Sequence, residues 1–224
     1  MTSLASRPGA PGEASALGPL RVWAWLGAAG PVVALGAMAY AHLAASASVS
    51  PLTGLVSEYA LDPGAYGGML AATLALAMGC LWVTFGLAQA DPARTAATRV
   101  LLVAVALGLV LTAIFPTDPT PGVTSMGGEI HRWSAAVVFT GLPCAALALT
   151  RNRPAFPRRV AIRGTAVAGA LLLAAFLAAH PGSPLADLIA GPAYHGLLQR
   201  LLLVTDALMV LLIALSLTAK RPTG

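Results

Sequence analysis

The sequence predicts an all-α fold, a polytopic bundle of six transmembrane helices with both termini on the cytoplasmic side. Three observations carry that expectation. Hydrophobic residues make up 58% of the chain and charged residues 9%, against the roughly 25% charged that keeps a soluble domain's surface wet. Mean hydropathy is +0.81, and six stretches approach or exceed the roughly 20 apolar residues needed to cross about 30 Å of hydrocarbon. The basic residues, finally, gather in alternate connectors, which is the distribution that fixes orientation in a bilayer.

Residues 1–21, rich in Pro, Gly, Ser and Ala, read as a disordered cytoplasmic tail. The first span covers 22–43. Its preceding Arg21 and the following AASASVS resemble parts of a secretory signal, but the apolar run exceeds the roughly 7–15 residues of a signal core, so the span reads as uncleaved. The second covers 64–88, and the third, 98–115, is short and stops against Pro116. Spans at 130–149, 160–179 and 193–217 complete the set, with 220–224 as a short cytoplasmic tail. Each run is apolar all round, as expected where backbone groups bond within their own helix. The small-residue stretch GAAGPVVALGAMAYA permits close helix contact. Cys80 and Cys144 lie inside apolar runs with no CxxC, so they read as packing residues.

Arg7, Arg21, Arg94, Arg99, Arg151, Arg153, Arg158, Arg159, Arg163, Lys220 and Arg221 fall on one side of a six-span chain, and only Arg132 and Arg200 on the other. Positive residues stay cytoplasmic. The acids Glu58, Asp62, Asp118, Glu129 and Asp187 then face outward. The formal charge of +5 is a topology signal, and no nucleic-acid partner is expected. High Ala and a preference for Arg over Lys suggest a GC-rich bacterial genome, hence a bacterial inner or plasma membrane with its lipids as partners.

Polar chemistry concentrates in FPTDPTPGVTSMGGEIHRW, residues 115–133, an outer connector running into the fourth span. Its prolines end the third span, and Gly127 and Gly128 allow close passage into the next. All four histidines, His42, His131, His180 and His195, sit at outer span ends. No pair has the i, i+4 spacing of a helical metal site, so no metal is assigned. Asp206 lies within LLLVTDALMVLL, where a carboxylate costs on the order of 3 kcal/mol to insert. It should face the bundle interior and have a partner. On an ideal helix His195, Gln199 and Asp206 share one face, forming a stripe that runs inward. Arg132 can pair with Glu129 at i, i+3; alternatively, Arg132 and Arg200 form a forked site for phosphate or carboxylate. The candidate ligand-binding residues are therefore Asp118, His131, Arg132, His195, Gln199, Arg200 and Asp206.

The segments FPTD, GGEIHRW and GLLQR, in that order, resemble the domain of unknown function 998 family over about residues 22–218. The positions carrying the resemblance are Phe115, Pro116, Asp118, Gly128, His131, Gln199 and Arg200. It implies six transmembrane helices and no established reaction. The function expected from the residues is non-enzymatic: binding, or helping to move, a lipid or small amphiphile or anion at the outer leaflet, with no cofactor. Two alternatives stand beside it. One is an intramembrane hydrolase or transferase with His131 or His195 as base and Asp206 orienting it. The other is electron transfer through a haem held by His131 and His195.

Overall fold

The computed structural model describes residues 12–119 and 122–219. Among them there is no strand, and six long helices follow in order: α1 Gly12–Ala44, α2 Tyr66–Ala90, α3 Ala96–Ile114, α4 Met126–Thr150, α5 Arg159–Ala179 and α6 His195–Ser216. All six are long and apolar enough to cross a membrane. The expected six-span fold class therefore holds, and apart from the start of α1 the helix ends lie within four residues of the expected bounds.

One expected boundary moves. Residues 12–21 are helical, whereas the sequence reading placed them in a disordered tail. Adding a residue to an existing helix costs far less than nucleating one, so the first span propagates outward through GEASALGPL. Residues 1–11 of that tail, and 220–224 with Lys220 and Arg221, lie outside the described residues.

Consecutive helices pack side by side, and α1 closes the ring on α6. α6 also touches α2 and α4, which makes it the inner helix. The α1–α2 crossing rests on two glycines: a Cβ at Gly30 would lie 2.5 Å from the Gly79 Cα. Small residues let backbones meet in this way where lipid offers no hydrophobic drive. Large apolar side chains such as Val100, Leu107 and Ile114, spaced seven apart on α3, are exposed. In a bilayer that exposure faces acyl chains. Cys80 packs inside as expected, but Cys144 is exposed, so the second cysteine belongs to the outer surface of the bundle.

The alternation of helices gathers residues 91–95 and 151–158 at one end, the basic end. There Arg153 pairs with Asp91 at 3.0 Å and lies over the Phe156 ring. Residues 45–65, 115–119, 122–125 and 180–194 gather at the opposite end, which carries all four histidines.

Candidate functional site

At the histidine end the connector of residues 45–65 is fastened to the start of α6. Gln199 Oε1 accepts from the Val56 amide at 2.6 Å, and the Leu197 amide donates to the Leu52 carbonyl at 3.0 Å. Arg200 spreads its guanidinium over three acceptors. Nη1 donates to the Gly54 carbonyl at 2.7 Å and to the Gly196 carbonyl at 2.9 Å, and Nη2 to the Tyr59 hydroxyl at 2.7 Å. Tyr59, 1% exposed, also meets His42 Nδ1 at 2.7 Å. A planar fork with five donors suits such a junction better than an ammonium would.

The loop from α3 to α4 is organised around Asp118. Its carboxylate accepts from the Thr124 amide, the Ser125 amide and the Ser125 hydroxyl at 2.7–2.8 Å. The Ser125 hydroxyl oxygen then accepts from the Gly128 amide at 2.9 Å, capping α4 as an N-terminal serine does. These donors, the Ser125 hydroxyl foremost, hold the Asp118 carboxyl below the usual carboxylate range. Gly128 is required for space rather than for backbone freedom: no described glycine has a positive φ, but a Cβ there would run into the Asp118 carboxylate.

Beneath the 45–65 connector lies a cavity of about 360 Å³ between α1, α2, α3, α4 and α6. Three helices repeat one pattern along its wall. His42 and Ala34 on α1, His131 and Phe139 on α4, and Gln199 and Ala207 on α6 all line it. In each pair the polar residue sits toward the helix end and the apolar one eight residues deeper, about 12 Å at 1.5 Å per residue. Tyr59 and Arg200 join the polar rim, while Leu76 and Val138 join the apolar floor. An apolar pocket with a few convergent polar groups is the usual form of a small-molecule site.

The seven sequence candidates separate. His131, Gln199 and Arg200 line the cavity. His131 is 8% exposed, with Nδ1 at 2.8 Å from the Phe115 carbonyl. Asp118 serves its own loop. Arg132 pairs with Glu129 at 2.8 Å on the exposed surface, the i, i+3 pair expected for it, and Arg200 is committed to the 45–65 connector, so the alternative of a forked anion site does not form. His195 stacks on Phe176, ring centroids 4.3 Å apart, and meets His180 edge-on. It therefore faces α5 and does not line the cavity.

Asp206 is 0% exposed, and neither carboxylate oxygen has a hydrogen-bond partner among the described residues. It faces the interior as expected but lacks the expected partner. The single inward stripe of His195, Gln199 and Asp206 is thus divided among three environments. A helical wheel gives direction but not neighbours, and three different elements pack against that side of α6. No His–carboxylate contact exists among the described residues, and His131 and His195 do not share the cavity.

Sequence reasoning missed His42 and Tyr59 as rim residues. Tyr59 sits in the 3-10 turn Val56–Leu61, a short apolar stretch of SPLTGLVSEYALDPG that carries no periodic signal. His42 gave a signal only through its clustering with the other histidines.

A family model described as a protein of unknown function, DUF998, matches residues 28–216. No curated protein and no solved structure matches the chain.

Proposed function

The chain belongs to the DUF998 family, for which no reaction is described, and from that premise we propose that this multi-pass membrane protein binds an amphiphile in its histidine-end cavity. What carries the reading is the polar rim and apolar floor repeated about 12 Å apart on α1, α4 and α6. A headgroup finds hydrogen-bond partners at the rim, and an alkyl chain finds Ala, Leu, Val and Phe below. A polar solute would leave the floor unsatisfied, and a wholly apolar one would leave the rim so.

The basic-end arginines orient the cavity toward the outer leaflet of a bacterial plasma membrane by the positive-inside rule. A cysteine introduced by Ala155→Cys, in a Cys80→Ala, Cys144→Ala background, should be labelled by an impermeant maleimide only after permeabilisation.

Cavity filling tests the binding. Protein purified from membranes should carry a bound amphiphile visible by native mass spectrometry. Ala135→Phe, which projects a ring into the cavity, should remove it while the protein still elutes as one folded species. Unchanged occupancy in that variant would overturn the reading.

A further inference from the structure

Two imidazoles on the cavity rim present opposite chemistry. Arg200 has only N–H donors, so the Tyr59 hydroxyl receives Nη2 on its oxygen. That buried hydroxyl must place its own proton, and the acceptor given to it among the described residues is His42 Nδ1, at 2.7 Å. Nδ1 of His42 is thereby the lone pair, and the ring proton sits on Nε2. His131 is the reverse. Its Nδ1 faces the Phe115 carbonyl at 2.8 Å; a carbonyl only accepts, so Nδ1 carries the proton and Nε2 offers the lone pair. Both rings line the cavity, one leaving it a donor and the other an acceptor. His195, by contrast, has its Nε2 sealed in without a partner.

We propose, resting on the cavity reading above, that the ligand is a single-chain amphiphile with a carboxyl headgroup, a long-chain carboxylic acid. Its carbonyl oxygen accepts from His42 Nε2–H, its hydroxyl donates to His131 Nε2, and its chain runs down to Ala34, Phe139 and Ala207. Should the proton cross to His131, the pair becomes a carboxylate facing an imidazolium, with the same atoms and the same number of hydrogen bonds. Arg200, which has no ion pair among the described residues, supplies positive charge at the same rim.

Size supports a single chain. A volume of about 360 Å³ lies at the low end of the roughly 300–1,000 Å³ typical of ligand sites, too little for a two-chain phospholipid. An ester accepts hydrogen bonds but has no proton to give to His131. A quaternary ammonium can do neither and is repelled by Arg200.

Competition against a fluorescent acyl probe, with the full chain in lipid nanodiscs, tests this using dodecanoic acid and its methyl ester. The acid should bind about tenfold more tightly, the effect of leaving one buried acceptor unpaired. His131→Asn retains a side-chain N–H for the Phe115 carbonyl but removes the Nε2 acceptor, so acid and ester should then bind alike. Equal binding of acid and ester to the unaltered chain would overturn the headgroup assignment alone, as would an acid preference that survives His131→Asn. Binding of neither compound to the unaltered chain would overturn the cavity reading beneath it. The acid–ester comparison needs no variant and stands even if His131→Asn does not fold.

Discussion

The Arg200 guanidinium donates to the Tyr59 hydroxyl at 2.7 Å across 141 residues of sequence, and its charged group lies 5.5 Å from the centroid of the same ring. This contact joins Gln199–Val56, Leu197–Leu52 and Arg200–Gly54 in tying the inner helix to the connector that roofs the cavity, and it sets the proton on His42. Tyr59→Phe keeps the ring but leaves an Arg200 N–H and the His42 Nδ1 lone pair without their shared partner. Loss of about 1–3 kcal/mol is expected, read as a lower thermal midpoint in detergent together with faster proteolysis within residues 45–65. Cleavage at the unaltered rate would show that the connector is held without this contact.

The α3–α4 loop should open in acid. The hydrogen bonds from Ser125 and Thr124 depress the Asp118 carboxyl in the folded protein. A depressed carboxylate contributes stability that is fully present above its unfolded value, about 3.9, and that is lost as pH falls through the folded value. Hydrogen exchange of residues 122–128 should therefore stay slow from pH 7 to 5 and accelerate below about pH 4. Asp118→Asn should show fast exchange already at pH 7, with a flatter pH profile. A loop whose exchange follows only the intrinsic chemical rate at every pH would contradict this account.

Asp206 is a buried acid whose oxygens accept no hydrogen bond from the described residues, so its removal should help. Asp206→Ala forfeits no hydrogen bond and removes a side chain that costs on the order of 3 kcal/mol at a helix centre. A rise in the unfolding midpoint worth about 1–3 kcal/mol is expected, somewhat reduced by the small void left behind. A marked fall would mean that the carboxyl has a partner, such as a bound water or ion.

The crossing of α1 and α2 makes a paired prediction. Gly30→Leu places a side chain against the Gly79 backbone and should cost about 1–3 kcal/mol or more, because two helix backbones must part. Gly36, six residues along the same helix, has open space where its Cβ would be. Gly36→Ala should be neutral or stabilise by up to about 1 kcal/mol. Equal effects at the two sites, measured by unfolding in detergent, would remove the close crossing as a determinant of the fold.

The start of α4 marks how far the sequence could be read. Hydropathy places it at Ile130, but the helix begins at Met126 because Ser125 caps it and Asp118 holds Ser125. Neither the serine cap nor the carboxylate seven residues earlier that holds it leaves a mark in the hydropathy that set the expected start. Arg132 and Glu129 were legible for the opposite reason, since an i, i+3 pair depends on helix geometry alone. Arg200 offered no local acceptor except the Gly196 carbonyl, and its remaining partners come from a connector some 140 residues away.

Composition, hydropathy and the placement of arginines suffice to specify six bilayer-length helices and to gather the histidines at one end, because those properties follow from the solvent around the chain and the rise of a helix. Folding in three dimensions decided which polar groups share a space. It brought His42, Tyr59, His131, Gln199 and Arg200 around one cavity, turned His195 toward Phe176, and buried Asp206 without a hydrogen-bond partner among the described residues. Those outcomes depend on which helix lies against which, and a close approach such as Gly30 on Gly79 fixes that only once both helices are in place.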